Sequence, residues 1–393
     1  MLDRDSPIGV VGAGAMGSGI AQVAATAGHR VVLADADAGA VGRARDGIAK
    51  ALAREVEKGR LPSGGDAAAL GRIAFVEGVN DLAPFADVGL ALEAIVERLD
   101  AKRALFAALE TVARDDAILA TNTSSLPVAA IGSGCRLPER VIGVHFFNPA
   151  PVMPLVEIVP SLATAASIVS AARGLVDSWK KTTVLTSDTP GFIVNRVARP
   201  FYGESIRMYE EGIADVATID WAMKAIGGFR MGPFELMDFI GHDVNFVVTR
   251  SVFEGLSFDP RYRPSVTQQR LLEAGWLGRK SGRGFYDYRP GAAAPVPNED
   301  RALGQQIVDR TLAMLVNEAV DAVLMRVGMP RDIDLAMTKG VNYPKGLIAW
   351  GEEIGMDTIL GRLEALYAEY AEDRYRPSAL LRRVVRDGRS LLA

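Results

Sequence analysis

The chain is poor in two residue types that often form disulfides, metal sites or catalytic centres. Its 393 residues include one cysteine, Cys135, and three histidines. A single cysteine excludes an intrachain disulfide, and such low usage is typical of a protein from a reducing compartment. We therefore predict a cytoplasmic protein, and we predict no metal site.

The sequence also has no long apolar run and no large excess of charge. Hydrophobic residues make up 49% of the chain, but the longest apolar passage, near Leu90, is broken by Glu93 and Glu97. No uncharged run reaches the length of about 18 residues that a membrane helix needs. The net charge of −4 gives no reason to expect a nucleic-acid partner. Because Met1–Asp5 leads directly into the first predicted strand, we expect no signal or transit peptide.

What the chain does have is a nucleotide-binding signature at its beginning. The apolar run Ile8–Val11 predicts a buried strand, the segment GAGAMG follows at once, and Ser18–Ala27 has helical composition. In such a strand–turn–helix, Gly12 permits the tight turn, Gly14 lets the backbone approach a pyrophosphate, and Gly17 allows close packing of the helix on the strand. An isolated motif of this kind can also be a glycine turn without a ligand.

The residue that follows the second predicted strand favours a dinucleotide ligand. Val31–Ala34 ends at Asp35, about 20 residues beyond the glycines, where an acid can bind the adenosine ribose hydroxyls. The carboxylate would repel a 2′-phosphate, and neither Ala36 nor Asp37 supplies a compensating cation. The sequence therefore predicts NAD rather than NADP as cofactor.

Apolar runs and helical segments alternate through about residue 187, which predicts a mostly parallel, doubly wound sheet. The predicted strands are Ile8–Val11, Val31–Ala34, Ile73–Val76, Val88–Leu92, Ile118–Thr121, Ile142–His145, Leu155–Val159 and Thr183–Thr186. Helices are predicted between most of them, including Ala40–Gly59, Leu99–Arg114 and Ala165–Ser178. Beyond Thr189, long helical patterns replace the β-branched runs.

The helical part of the chain repeats itself after a segment rich in proline and alanine. Ile193-Val194-Asn195-Arg196 returns as Ile307-Val308-Asp309-Arg310, and the segment from Ile219 to Met223 returns from Ile333 to Met337. We predict an α/β, Rossmann-like doubly wound domain followed by two copies of an all-α helical domain. The predicted domains are a nucleotide-binding domain at 1–188, a helical domain at 189–288, a linker at 289–302 and a degenerate second helical copy at 303–393.

A histidine and a carboxylate follow the nucleotide-binding signature. His145 ends a predicted strand, and ligands of open α/β sheets bind beyond the carboxyl ends of strands. Glu157 lies inside an apolar run, where an unpaired carboxylate is costly to bury, although an edge strand could also turn it to solvent. The other histidines, His29 and His242, are expected at ordinary turn or surface positions. A dinucleotide site with a histidine–carboxylate pair can move a hydride and a proton together, which is alcohol oxidation or its reverse.

From Ile8 to Tyr288 the chain resembles the NAD-dependent 3-hydroxyacyl-CoA dehydrogenases. The resemblance rests on ordered motifs: GAGAMGSGIAQ, EAIVERL, TNTSSL, HFFNP, LVEIV, PGFIVNR, MGPFEL and GRKSGRGFYDY. It implies a Rossmann-like domain followed by a helical domain, and oxidation of an (S)-3-hydroxyacyl-CoA to the 3-oxoacyl-CoA with NAD. The implied general base is His145, polarised by Glu157.

The resemblance implies further contacts with substrate and cofactor. Ser124 and Asn195 match residues that hydrogen-bond the reacting oxygen, and Arg54 and Lys58 match a basic pair near the CoA moiety. Positions that match further NAD contacts are Glu97, Lys102, Asn148 and Lys280. From the residues alone, Ser124 and Ser125 are equally good helix caps, Asn195 could be a polar surface residue, and the basic pair could be a solvated helix face.

Two other functions stay open at this stage. One is a dehydrogenase of a free hydroxy acid or sugar acid, as in gulonate dehydrogenase and its lambda-crystallin relatives. The other is a non-catalytic NAD-binding protein, which would need no set such as Ser124, His145, Glu157 and Asn195. For assembly, the sequence predicts either a homodimer or a monomer in which the two helical copies form an internal pseudo-dimer.

Overall fold

A computed structural model of the protein describes residues 6–79 and 82–393. Met1–Asp5, on which the expected absence of a leader rests, and Asn80–Asp81 lie outside the described residues. The chain divides into two compact units, one that ends at Asp188 and one that begins at Thr189.

The first unit is built on an eight-stranded sheet. Its strand order is β3-β2-β1-β4-β5-β6-β7-β8, and every recorded pair is parallel except β6 with β7, which is antiparallel. Most of the strands are rich in valine, isoleucine and leucine and are buried, as expected for a sheet covered on both faces, whereas the edge strand β3 is only partly buried. They are β1 Ile8–Val11, β2 Val31–Asp35, β3 Ile73–Glu77, β4 Leu90–Glu93, β5 Ile118–Thr121, β6 Val141–Phe146, β7 Leu155–Pro160 and β8 Thr182–Leu185.

Helices connect most of these strands. In the longest of them, α2, the buried residues Val41, Ala44, Ile48 and Leu52 recur at helical spacing. The helices of the first unit are α1 Ala15–Thr26, α2 Ala38–Glu57, α3 Gly65–Leu70, α4 Leu99–Val112, α5 Val128–Gly132 and α6 Ala166–Ser178. The predicted Rossmann-like α/β domain is confirmed.

The ends of several elements differ from the prediction by a few residues. Helix α2 begins at Ala38 rather than at Ala40 because the Asp37 carboxylate accepts a hydrogen bond from Gly39 N at 2.9 Å and caps the helix. Strand β4 covers Leu90–Glu93 instead of Val88–Leu92, so that Glu93 is its last residue.

The second unit is helical, as predicted. Its central element is α13, a helix of 24 residues that packs against α8, α9, α15, α16 and α17. The helices are α7 Val194–Val197, α8 Arg199–Glu210, α9 Val216–Ala225, α10 Pro233–Ile240, α11 His242–Gly255, α12 Val266–Glu273, α13 Arg301–Leu324, α14 Pro330–Gly340, α15 Leu347–Ile354, α16 Met356–Tyr370 and α17 Ala379–Asp387.

Two buried ion pairs join the predicted helical copies reciprocally. Arg196 Nε of the first copy donates to Glu318 Oε1 of the second at 2.8 Å. Arg310 Nε of the second donates to Glu204 Oε1 of the first at 2.6 Å. A tyrosine hydroxyl completes each pair, from Tyr262 on Glu318 and from Tyr375 on Glu204. Corresponding residues of the two predicted copies therefore make corresponding contacts, as in an isologous interface.

Candidate active site

The glycine turn between β1 and α1 lies where the strand order reverses, between β1 and β4. Gly12 has φ +107°, and a Cβ there would lie 2.4 Å from Ala94 O. A Cβ on Gly17 would lie 1.7 Å from Gly12 O, so this position also requires glycine. No atom lies within 4 Å of the Cβ position of Gly14, and α1 has no side-chain cap. The turn thus leaves room, and free backbone N–H groups, for a phosphate.

Asp35 lies beside this turn at the carboxyl end of β2. Its Oδ2 accepts a hydrogen bond from Ala13 N at 2.6 Å, and its Oδ1 accepts one from Asp37 N at 2.9 Å. Asp35 and Gly14 line a cavity of about 600 Å³ whose other walls are mainly apolar, including Leu82 and Ile95. An apolar cavity with one carboxylate at the glycine turn fits an adenosine whose ribose hydroxyls bind the acid.

A buried cation and two carboxylates join the ends of β4 and α4. Lys102 Nζ, whose side chain is 1% exposed, lies 2.5 Å from Glu93 Oε1 and 3.1 Å from Glu97 Oε2. Burial opposes ionisation of Glu97, but the charge of Lys102 and a hydrogen bond from Thr123 lower the pKa of the Glu97 carboxyl. The predicted cofactor residue Lys102 is therefore held inside the protein by two acids, and Glu97 is the more exposed partner.

The structure separates the two serines that the sequence could not separate. Ser125 Oγ donates to Glu97 Oε1 at 3.0 Å. The backbone N–H of Ser124 donates to the same oxygen at 3.0 Å, whereas its hydroxyl makes no hydrogen bond to any described residue. Ser124 therefore presents an uncommitted hydroxyl after β5, which is what a substrate contact requires.

His145 and Glu157 form a buried pair on neighbouring strands. The antiparallel register of β6 and β7 places them directly opposite each other, with His145 Nδ1 2.7 Å from Glu157 Oε2. Glu157 is fully buried and His145 is 5% exposed. A carboxylate oxygen accepts hydrogen bonds, so Nδ1 is the ring nitrogen that donates to Glu157, and Nε2 is the nitrogen left for the reaction. This is the arrangement of a histidine base with a carboxylate partner.

The predicted CoA pair lies in a second cavity of the first unit. Arg54 and Lys58 line a space of about 630 Å³ together with Gly14, Ser18 and Pro149. Neither has a carboxylate within ion-pair distance in the described parts of the chain, whereas Arg43 and Arg60, on the same cavity, are paired with Asp37 and Glu55. Asn148, which precedes Pro149, is exposed. The cavity offers two unpaired positive charges.

Asn195 and Lys280 belong to the second unit. Asn195 lies on α7 and is partly buried. Lys280 Nζ donates to Asp243 Oδ2 at 2.7 Å, and its side chain is 45% exposed. The expectation of surface positions for the other two histidines is wrong, because His29 is 4% exposed and His242 is fully buried against Asp238 at 2.9 Å.

Glu93 is a site residue that the sequence analysis did not single out. It accepts hydrogen bonds from Ile95 N at 2.7 Å and from Thr121 Oγ1 at 2.7 Å, in addition to the contact with Lys102. Its signal was its position as the first residue of the EAIVERL motif at a strand end.

In the residues that the structure covers, no helix is both long and apolar enough to cross a membrane.

The chain belongs to the family of the 3-hydroxyacyl-CoA dehydrogenases. The family model for the 3-hydroxyacyl-CoA dehydrogenase NAD-binding domain matches residues 7–189. The model for the C-terminal domain matches twice, at 191–288 and at 307–391. The predicted family, enzyme class and NAD cofactor are confirmed.

Relatives of two lengths resemble the chain. A 3-hydroxyadipyl-CoA dehydrogenase of Escherichia coli is 40% identical over 97% of this chain and 98% of the relative. A solved structure of a 3-hydroxybutyryl-CoA dehydrogenase from Escherichia coli superposes with a TM-score of 0.92 at 39% identity and covers 98% of both chains. A 3-hydroxybutyryl-CoA dehydrogenase of Bradyrhizobium diazoefficiens is 42% identical but matches only 74% of this chain, with 97% of its own length covered.

Proposed function

We propose that the protein oxidises an (S)-3-hydroxyacyl-CoA to the 3-oxoacyl-CoA with NAD, and catalyses the reverse reduction. The observation that carries this proposal is the buried His145–Glu157 pair, with 2.7 Å between Nδ1 and Oε2, in the domain that also holds the glycine turn. A binding protein would gain nothing from burying a carboxylate to orient an imidazole.

In this proposal His145 Nε2 takes the proton of the substrate 3-hydroxyl. Glu157 holds the ring by its Nδ1–H and stabilises the positive charge that the ring gains. The uncommitted hydroxyl of Ser124 binds the reacting oxygen, and Asn195 is proposed as a second contact to it. NAD, when bound, supplies the hydride acceptor.

The residues near the glycine turn are proposed to hold the cofactor. Gly12, Gly14 and Gly17 shape the turn for the pyrophosphate, and Asp35 accepts from the ribose hydroxyls. Glu97, ionised and partly exposed, is proposed to contact the cofactor directly. Lys102 contributes indirectly, because its ion pair with Glu97 fixes the position of that carboxylate. Asn148 and Lys280 stay proposed contacts on the strength of the family resemblance.

Arg54 and Lys58 are proposed to bind the phosphates of CoA. Both line the 630 Å³ cavity without a carboxylate partner, so a phosphate would complete their charge. Arginine in place of lysine at position 54 keeps the charge and adds a planar fork of donors.

The length of the acyl chain is a separate part of the proposal. Short, long and dicarboxylic 3-hydroxyacyl-CoAs are all members of the substrate class. The match to the 3-hydroxyadipyl-CoA dehydrogenase covers nearly all of both chains, including the second helical segment. We therefore favour a dicarboxylic acyl-CoA as the preferred substrate.

The second helical segment is proposed to be a copy of the first that completes the helical unit within one chain. The reciprocal pairs Arg196–Glu318 and Arg310–Glu204 support this, as do the two matches to the same domain model. Of the two predicted assemblies, this favours the monomer with an internal pseudo-dimer over the homodimer. The cytoplasmic location stays a prediction.

The reaction is tested by following NADH absorbance with acetoacetyl-CoA. We expect turnover with NADH, much less with NADPH, and none with free acetoacetate. Longer and dicarboxylic 3-oxoacyl-CoAs would then define the preferred chain. Activity on the free acid alone would place the protein with the hydroxy-acid dehydrogenases, and NADH binding without turnover of any of these compounds would make it a binding protein.

Replacing Asp35 by alanine should change cofactor preference. Loss of charge-assisted hydrogen bonds to the ribose should weaken NAD binding roughly 10- to 100-fold. NADP binding should improve, because the repelling carboxylate is gone and Arg43 lies next to Asp37, at 3.0 Å. The ratio of kcat/KM for the two cofactors measures the effect.

Asp46→Ala is the matched control for Asp35→Ala. Asp46 is exposed on α2 and is not among the residues that line the two cavities of the first unit. It carries the same charge change and should leave the cofactor ratio as in the wild type. An unchanged ratio in Asp35→Ala would remove Asp35 from the cofactor site.

A further inference from the structure

Arg199 is a buried cation without a buried anion. It begins α8 and is 6% exposed. Its one recorded hydrogen bond runs from Nη1 to Thr249 Oγ1 at 3.0 Å, and its Nε is buried without a hydrogen-bond partner. No carboxylate of the described residues lies within ion-pair distance of it. The other arginines buried to this degree in the second unit, Arg196, Arg310 and Arg374, are all paired with acids.

Two tyrosines lie near Arg199, and one of them has a hydroxyl without a hydrogen-bond partner among the described residues. Its guanidinium lies 4.9 Å from the centroid of the Tyr202 ring. Tyr343 also interacts electrostatically with Arg199, and its buried hydroxyl has no hydrogen-bond partner in the described chain. We call Arg199, Tyr202, Thr249 and Tyr343 the Arg199 cluster. Burial lowers the pKa of the Arg199 guanidinium, in keeping with a charge that lacks its counter-ion.

Such an arrangement is unfavourable unless something completes it. A buried charge needs a partner, and a buried donor or hydroxyl that stays unpaired costs the free energy of its lost hydration. An apolar side chain at position 199 would avoid that cost. An unpaired buried arginine at this position therefore suggests that a ligand supplies the missing partner.

Tyr343 belongs to the second helical segment, and the other three members of the cluster have no polar counterpart there. Asp220 accepts from Phe234 N and Glu235 N, and Asp334 accepts from Ile348 N and Ala349 N in the same way. The offset that carries Asp220 to Asp334 and Arg196 to Arg310 also carries the cluster residues onto apolar ones. Arg199, Tyr202 and Thr249 correspond to the fully buried residues Ala313, Val316 and Leu363.

We propose that Arg199 binds the distal carboxylate of a dicarboxylic 3-hydroxyacyl-CoA and thereby selects this substrate class. The guanidinium would supply the fork of donors that matches a carboxylate, and the hydroxyl of Tyr343 would donate a further hydrogen bond. The proposal rests on the proposed dehydrogenase function and adds a specificity residue to it.

The test compares substrates that differ only at the far end of the acyl chain. With NAD, kcat/KM is measured for (S)-3-hydroxyadipyl-CoA, for its distal carboxamide and for (S)-3-hydroxyhexanoyl-CoA. We expect the wild type to prefer the diacid over both others. Arg199→Met should lower kcat/KM for the diacid roughly 10- to 100-fold and leave the hexanoyl value nearly unchanged. Arg199→Lys should keep part of the preference, and Tyr343→Phe should lose a smaller part.

The outcomes are distinguishable. Equal losses on the diacid and hexanoyl substrates in Arg199→Met would mean that Arg199 is structural, and would overturn the proposal. If Arg199→Met does not fold, the three substrates on the wild-type enzyme decide, because a wild type that treats the diacid like its carboxamide has no carboxylate site. Turnover of all three without preference refutes only the role of Arg199, whereas no turnover of any 3-hydroxyacyl-CoA refutes the dehydrogenase function and this role together.

Discussion

Replacing His145 by alanine should lower turnover by about 10²- to 10⁴-fold, the range expected for loss of a general base. The imidazole Nδ1 lies 2.7 Å from Glu157 Oε2, and alanine removes both the base and this contact. NADH affinity should stay nearly unchanged, because Asp35 and the glycine turn are untouched. Steady-state kcat with acetoacetyl-CoA and a fluorescence titration of NADH measure the two effects separately.

His29→Gln is the control for this variant. His29 is also a buried histidine of the first unit, with its ring 5.8 Å from that of Trp179, and no role in the reaction is proposed for it. Its replacement should leave the turnover of the folded enzyme close to that of the wild type. Normal turnover in His145→Ala would remove His145 from the mechanism, and a matching loss of NADH binding would show that the variant damages the domain rather than the chemistry.

The nucleotide end of the site was predictable because local sequence determines it. A strand, a glycine turn and a helix follow one another without interruption, so Gly12, Gly17 and Asp35 could be placed from spacing alone. A Cβ at Gly12 would meet Ala94 O, which belongs to a segment distant in the chain. The sequence does not reveal this contact, but the glycine that it requires is part of the motif.

The sequence predicted His145 and Glu157 as two candidate residues but not the contact between them. That His145 and Glu157 face each other follows from the antiparallel register of β6 and β7, in a sheet whose other recorded pairs are parallel. Alternation of apolar segments does not reveal strand direction, so the sequence could suggest the partner but not the 2.7 Å contact. The family resemblance selected Ser124, but the difference in hydrogen bonding between Ser124 and Ser125 depends on Glu97, which lies in another strand–helix connection.

Burial of charge was the least predictable property. Lys102 and His242 lie in segments of ordinary helical or turn composition, yet both are buried, each beside a buried carboxylate, Glu93 for Lys102 and Asp238 for His242. The burial of Arg199 is harder to predict still, because no such carboxylate accompanies it among the described residues. The repeat shows that Arg199 and Ala313 are corresponding positions, but only the packing shows that both are buried, one as a charged residue and the other as an apolar one.

Replacing Glu318 by glutamine should strongly destabilise the helical unit. Glu318 accepts from Arg196 Nε at 2.8 Å and from the Tyr262 hydroxyl, and it is 1% exposed. Glutamine keeps the shape but leaves the buried guanidinium of Arg196 with a weaker acceptor. Breaking one partner of a buried ion pair costs about 3–5 kcal/mol. We expect the lower end, because Asp321 Oδ2 stays 3.3 Å from Arg196 Nη2. Urea unfolding followed by circular dichroism measures the change in free energy.

Glu364→Gln is the matched control, since Glu364 pairs with Arg382 in the same unit but both side chains are about half exposed, at 48% and 52%. An exposed pair contributes about 0–1 kcal/mol, so this variant should unfold almost as the wild type does. If the two helical segments are true copies, Glu204→Gln should cost about as much as Glu318→Gln, because Arg310 relies on Glu204 as Arg196 relies on Glu318. Equal and small effects of the Glu318 and Glu364 changes would show that the reciprocal pairs do not hold the segments together, and that apolar packing around α13 does so instead.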